Sequence, residues 1–119
     1  KANVVASITA IGEVAGKNIV IVDDMVDTAG TLAKAANVLK DMGALSVRAC
    51  ATHAVFSGPA YEKIANSALE EVIVSDTIPL DADPAKDKTK ITVLTMTKMF
   101  ADIIRKVYNY EEISSSFIN

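Results

Sequence analysis

The fold is decided by Ile19–Thr31, which has the sequence IVIVDDMVDTAGT. Ile19–Val22 is apolar and β-branched throughout, a pattern typical of a strand that is buried on both faces of a parallel sheet. Two adjacent carboxylates, Asp23 and Asp24, come next, followed by a small turn that contains Gly30. This order predicts a buried strand, a polar turn and the start of a helix.

The helix after this turn is indicated by apolar spacing. Leu32, Ala35, Ala36 and Leu39 occupy positions i, i+3, i+4 and i+7, which form one helical face. Gly43 follows them, and glycine commonly ends a helix because it adopts the left-handed conformation.

The same reasoning divides the rest of the chain. Four further strands and two further helices are predicted. A charged loop over residues 76–90 separates the last two strands. The strands are expected at residues 4–10, Ser46–Ala54, Glu71–Ser75 and Ile91–Leu94, and the helices after Pro59 and along Phe100, Ile103, Ile104 and Val107. Alternating strands and helices predict an α/β fold with a parallel-cored sheet flanked by helices.

Composition restricts the class of protein. The 119 residues fit one domain, and 50% hydrophobic with 23% charged residues is a globular composition. The net charge of −3 argues against a nucleic-acid-binding face, and no apolar run approaches the roughly 20 residues of a membrane span. The single cysteine, Cys50, is expected to be buried and inert. A cytoplasmic protein is therefore predicted.

The acidic pair and the turn have complementary chemistry. Adjacent carboxylates repel each other, and a ribose diol or a hydrated divalent cation would compensate Asp23 and Asp24. The turn Asp27–Thr31 offers backbone N–H groups and two hydroxyls beside a helix N-terminus, where a phosphate is stabilised. Each feature alone is common, because Asp and Thr are ordinary N-caps. Together they indicate a sugar-phosphate site.

Two other kinds of site receive less support. The chain contains neither G-x-x-x-x-G-K-[ST] nor G-x-G-x-x-G, the two nucleotide-binding fingerprints. His53, the only histidine, is expected to be a polar residue satisfied by the backbone rather than a catalytic base.

Four segments resemble the ribose-phosphate pyrophosphokinase family, also called phosphoribosyl pyrophosphate synthetases. They are VDDMVDTAGT at 22–31, THAVFSGPAYEKI at 52–64, VIVSDTIPL at 72–80 and EEISSSF at 111–117. The Met after the acidic pair and the SGPA segment distinguish this pattern from that of salvage phosphoribosyltransferases. The resemblance covers essentially the whole chain.

This resemblance implies a type I phosphoribosyltransferase-like domain from a magnesium-dependent enzyme. The family transfers pyrophosphate from ATP to ribose 5-phosphate, giving phosphoribosyl pyrophosphate and AMP, and its two-domain subunits form hexamers. By motif match, the ribose 5-phosphate residues would be Asp23, Asp24, Asp27, Thr28, Ala29, Gly30 and Thr31. Asp23 and Asp24 would also be the candidate ligands for Mg²⁺. A regulatory phosphate would lie near Ser114, Ser116 and Phe117, although a disordered terminus is an equal alternative.

The resemblance also implies what the chain lacks. Lys1 matches the end of the family's basic catalytic loop, and the ATP-binding parts would precede it. Residues 1–119 are therefore expected to form a single C-terminal domain without catalytic residues, inactive by itself. The alternatives are a non-catalytic regulatory homologue, a salvage phosphoribosyltransferase, or an α/β interaction domain without a ligand.

Overall fold

The computed structural model describes residues 12–116, and the strand predicted at residues 4–10 lies outside them. The remaining predicted strands and helices are confirmed. In chain order the elements are β1 (Asn18–Val26), α1 (Gly30–Asp41), β2 (Ser46–Ala54), α2 (Ala60–Ala65), β3 (Glu71–Ser75), β4 (Ile91–Leu94), α3 (Thr97–Tyr108) and a 3₁₀ turn (Ser114–Ser116). The predicted loop over residues 76–90 contains neither helix nor strand.

The four strands form one parallel sheet in the order β1-β2-β3-β4. In the register, Asn18 lies opposite Ser46, Arg48 opposite Glu71, and Val72 opposite Ile91. Parallel neighbours need crossover connections, which α1 supplies between β1 and β2 and α2 between β2 and β3. The carboxyl ends of all four strands therefore meet at one edge of the sheet.

The hydrophobic core lies between the sheet and helices α1 and α2. Ala36 and Leu39 of α1 and Ile64 of α2 are buried against Val47 and Val72 of the sheet. The apolar positions that predicted α1 are thus the ones that face the core, and their burial holds the amino end of α1 next to the end of β1.

The opposite face of the sheet departs from the prediction. Val20 is 54% and Val22 is 78% exposed, so the expectation that β1 is buried on both faces is wrong for the described chain. Side chains alternate between faces along a strand, and α1 and α2 pack on one face only. Cys50 lies opposite Val22 on the open face and is half-buried rather than buried.

Polar contacts cross the amino end of this open face and link all four strands. The Ser46 hydroxyl donates to Asn18 Oδ1 at 2.7 Å, and Arg48 Nη1 donates to Ser46 Oγ at 3.3 Å. Arg48 Nε then lies 3.6 Å from Glu71 Oε1, and the Thr92 hydroxyl donates to Glu71 Oε2 at 2.5 Å. A one-residue slip would separate these partners, so the row favours the observed register.

Helix α3 is attached to the sheet through Asp76, which follows β3. The carboxylate accepts hydrogen bonds from the Met96 N–H at 2.9 Å and the Thr95 hydroxyl at 2.7 Å. Asp76 thus anchors the residues that lead into the helix, whose N-cap residue Met96 makes no side-chain capping hydrogen bond. The predicted helix is confirmed, but its apolar residues Phe100 and Ile104 are exposed.

A matched pair of isoleucines tests the location of the core. Ile64→Ala should lower the free energy of unfolding by about 2–5 kcal/mol, because Ile64 is 1% exposed and truncation leaves a cavity. Ile104→Ala should change it by no more than about 0.5 kcal/mol, because Ile104 is 68% exposed. Denaturant titrations measure both, and equal losses would contradict the assigned core.

Asp76→Asn tests the attachment of α3 by the pH dependence of stability. The bonds from the Met96 N–H and then the Thr95 hydroxyl lower the pKa of Asp76 below its ordinary 3.8. A lowered pKa stabilises the folded state above pH 3.8, and this contribution is lost as the pH falls through the lowered pKa. The wild-type chain should be more stable than Asp76→Asn at neutral pH, and the difference should shrink in acid. Parallel pH profiles in thermal unfolding would refute the role of the charge.

Candidate functional site

The candidate site lies at the carboxyl edge of the sheet, where β1 runs further than predicted. Pairing with β2 continues from Asp23 opposite Ala51 to Val26 opposite Ala54. The strand therefore ends at Val26 instead of Val22, and the acidic pair lies within its last residues. Sequence patterning missed this extension because polar residues interrupt the apolar run, whereas backbone hydrogen bonding to β2 does not depend on side-chain polarity.

Asp23 and Asp24 are both exposed and in contact with each other. The Asp24 N–H donates to Asp23 Oδ1 at 2.8 Å. The contact with the Asp23 side chain and, next, a hydrogen bond from the Met25 N–H lower the pKa of Asp24. Asp24 is therefore a carboxylate at neutral pH, able to accept hydrogen bonds from sugar hydroxyls or to bind a cation.

Residues Asp27–Thr31, here called the phosphate turn, surround a small hollow. Its volume is about 140 Å³, and it is lined by Asp23 and by Met25 to Leu32, with every residue of the phosphate turn included. Ala29 at its centre is buried and has the left-handed values φ 65° and ψ 7°. Six of the seven residues predicted to bind ribose 5-phosphate thus line one concave surface, and the seventh, Asp24, lies next to Asp23 outside the lining.

The first backbone N–H groups of α1 point out of a helix end that no described side chain caps. Ala29 occupies the N-cap position without a side-chain hydrogen bond, and the first turn contains no acidic residue. The alternative that Asp27 or Thr28 is an ordinary N-cap is therefore wrong. Uncapped N–H groups and the positive end of the helix dipole favour an anion at this position.

The absence of a side chain at Gly30 leaves the hollow open, although the backbone conformation at this position does not require glycine. A Cβ atom at this position would meet only Thr28 Oγ1, at 3.9 Å, within 4 Å. Neither strain nor crowding within the protein thus demands glycine. Its absent side chain instead allows a ligand to approach the backbone closely.

Sequence reasoning missed Ser57 as a residue of this site. The Ser57 hydroxyl donates to Asp27 Oδ1, and the Ser57 N–H donates to the Asp27 carbonyl at 3.0 Å. The SGPA segment was distinctive in the sequence but had no assigned role. Its position directly after β2 was the available signal, because parallel neighbours place their following loops side by side.

His53 is held by a side chain rather than by the backbone as expected. Its Nδ1 lies 2.8 Å from Thr77 Oγ1, and the ring is half-buried at the same edge of the sheet. Neither group lines the hollow of the phosphate turn. His53 therefore has a structural partner, as the prediction of a satisfied polar residue required, although the partner differs.

Asp23 and Asp24 are the residues predicted to bind Mg²⁺, and the acidic and metal-binding side chains around them bear on that prediction. Within residues 12–116 there is no group of three or more His, Cys, Asp or Glu residues that could hold a metal ion. Mg²⁺ is commonly bound by one or two carboxylates together with substrate phosphates and water. Asp23 and Asp24, which are exposed beside the hollow, fit that kind of binding.

Two further observations concern the remaining predictions. Across the described residues, no helix combines the length and the apolar character needed to cross a membrane.

At the predicted regulatory site, the Ser114 hydroxyl donates to the Glu112 carboxylate and Ser116 belongs to the 3₁₀ turn. Phe117 lies outside the described residues, so the regulatory role stays a prediction.

Comparisons with known proteins agree on one family. Residues 2–118 match the model of the phosphoribosyl synthetase-associated domain. The chain is 53% identical to ribose-phosphate pyrophosphokinase of Wolinella succinogenes and 50% identical to that of Campylobacter jejuni. Each alignment covers 99% of this chain and 37% of the relative. The chain therefore spans little more than a third of the length of these relatives.

A solved structure extends the likeness to the fold. The crystal structure of phosphoribosylpyrophosphate synthetase from Mycobacterium smegmatis superposes with a TM-score of 0.79 at 41% sequence identity. The match covers 84% of this chain and 33% of that one. The α/β architecture predicted from the sequence is confirmed.

Proposed function

Because the chain belongs to the phosphoribosyl synthetase-associated domain family, we propose that it is the ribose 5-phosphate-binding domain of a ribose-phosphate pyrophosphokinase. The complete enzyme would transfer pyrophosphate from ATP to ribose 5-phosphate for nucleotide biosynthesis. The single observation that carries the proposal is the hollow of the phosphate turn, placed at an uncapped helix N-terminus directly beside two exposed carboxylates.

Each part of the sugar phosphate has a matching part of this site. The 5-phosphate needs several donors and positive potential, which the N–H groups of the phosphate turn and the start of α1 provide. The ribose hydroxyls need acceptors, which Asp23 and Asp24 provide as carboxylates. Because both parts lie on the continuous stretch from the last residues of β1 to the first residues of α1, the two ends of the ligand would be bound by a rigid base.

The reaction itself is a pyrophosphoryl transfer. The anomeric oxygen of the sugar forms a bond to the β-phosphorus of ATP, the bond between that phosphorus and the oxygen bridging to the α-phosphate breaks, and AMP leaves. Such reactions depend mainly on positioning and on neutralising charge. This chain would supply the positioning of the acceptor, by fixing the phosphate and orienting the ribose.

The remaining features of the proposal concern the cofactor and the assembly. Mg²⁺, when bound, neutralises phosphate charge, and Asp23 and Asp24 are the residues that would hold it on this chain. ATP and a homo-hexameric assembly are implied by the family resemblance, and a cytoplasmic location by the composition of the chain. They belong to the complete enzyme, whose relatives are nearly three times as long as this chain.

The proposal is tested by ligand-dependent thermal unfolding of the chain. At 100 times the dissociation constant, ribose 5-phosphate should stabilise the fold by about 2.7 kcal/mol. Ribose without phosphate, sulfate and free nucleobases are the controls, each at the same concentration. If ribose 5-phosphate stabilises no better than sulfate, the sugar part of the proposal is wrong.

Gly30→Val tests whether the ligand occupies the hollow of the phosphate turn. The side chain would fill space that the phosphate needs, so calorimetry should detect no binding of ribose 5-phosphate. The fold should persist, because a Cβ atom at position 30 meets nothing closer than 3.9 Å. The melting temperature without ligand is the control, and retained binding would place the site elsewhere.

A further inference from the structure

The SGPA segment has no part in the proposed binding of the sugar phosphate, yet it lies against the phosphate turn. Phe56–Gly58, here called the serine turn, follows β2. The Phe56 N–H donates to the Val26 carbonyl and the Ser57 N–H to the Asp27 carbonyl, both at 3.0 Å. The Ser57 hydroxyl adds a third bond, to Asp27 Oδ1. The entry to the phosphate turn is therefore held by main-chain and side-chain bonds from one loop.

The phosphate turn needs such support because its backbone is strained. Ala29 has φ 65°, a left-handed conformation in which the Cβ atom of an L-residue lies too close to the backbone. Strained residues persist only where their surroundings hold them, and they are frequent at ligand sites. The conformation of Ala29 also sets the start of α1, since the Ala33 N–H donates to the Ala29 carbonyl at 2.9 Å.

The serine turn is also anchored by contacts that do not involve the phosphate turn. The buried Phe56 ring packs edge-to-face on the buried Tyr61 ring, with 5.2 Å between centroids. The Tyr61 hydroxyl in turn accepts a hydrogen bond from the Asp81 N–H at 2.8 Å. Because these contacts fix the position of Ser57, its hydrogen bond can restrain the position of Asp27.

The hydrogen bond from Ser57 to Asp27 also affects the electrostatics of the phosphate turn. A free carboxylate in the phosphate turn would repel a bound phosphate. The Ser57 hydroxyl supplies a donor to that carboxylate and so fixes one of its oxygens against the serine turn.

We infer that Ser57 is a positioning residue for the phosphate turn: its hydroxyl holds Asp27 so that Ala29 stays in the strained conformation that presents N–H groups to a phosphate. The inference rests on the proposed function, because it assigns Ser57 a role at the same site. Ser57 does not contact the substrate in this role. It acts by preorganising the residues that do.

The test compares Ser57→Ala with Ser57→Thr, which keeps the hydroxyl, and with Thr89→Ala as a matched control. The Thr89 hydroxyl also donates to a carboxylate, Asp87 Oδ1 at 2.6 Å, but in the loop over residues 76–90. Calorimetry on the chain measures the dissociation constants of ribose 5-phosphate and inorganic phosphate. Ser57→Ala should weaken both roughly tenfold, whereas Ser57→Thr and Thr89→Ala should bind like the wild-type chain.

Ala29→Gly separates positioning from general support of the fold. Glycine adopts the left-handed conformation without strain, so the phosphate turn should need Ser57 less. The roughly tenfold effect of Ser57→Ala should then shrink towards none when it is measured in the Ala29→Gly chain. An equal effect in both chains would show that Ser57 does not act through Ala29 and would overturn the inference.

The remaining outcomes distinguish the two proposals. If the wild-type chain prefers ribose 5-phosphate over sulfate but Ser57→Ala binds equally well, the positioning role is wrong and the proposed function stands. If the wild-type chain shows no such preference, the proposed function fails. An unfolded Ser57→Ala chain would also refute the inference, which confines the role of Ser57 to the phosphate turn.

Discussion

The parallel pairing of β1 with β2 is the constraint on which the rest of the structure depends. It carries the ladder past the acidic pair to Val26 and Ala54, and so brings the two loops that follow these strands side by side. One loop is the phosphate turn, and the other contains Ser57. The ligand edge thus arises from strand direction, because parallel strands place the starts of their connections at the same end of the sheet.

The two faces of the sheet have different roles in this arrangement. The covered face holds α1 through small and branched side chains such as Ala36 and Leu39, and this packing determines where the helix N-terminus lies. The open face carries exposed Val20 and Val22 together with a row of polar contacts at the amino end. Packing on the covered face therefore places the site, since the phosphate turn runs from the end of β1 into the first residues of α1.

The site combines a strained backbone with a helix end that has no side-chain cap. Both features cost stability in the protein by itself, and both become useful when an anion accepts hydrogen bonds from the free N–H groups. Local consistency between sequence and structure is therefore broken at the residues proposed to bind the ligand, as expected of functional sites.

The sequence by itself predicted the order of the described strands and helices and seven residues of the candidate site. Apolar periodicity indicates which residues are buried away from water. The IVIVDDMVDTAGT segment contains the carboxylates, hydroxyls and glycine of the candidate site within 13 consecutive residues. Only the tertiary structure decided that β1 extends to Val26, that Val20 and Val22 are exposed, and that Ser57 contacts Asp27. These features depend on hydrogen bonds and packing between residues distant in the chain, about 30 positions apart for Ser57 and Asp27, and a local pattern contains no information about such partners.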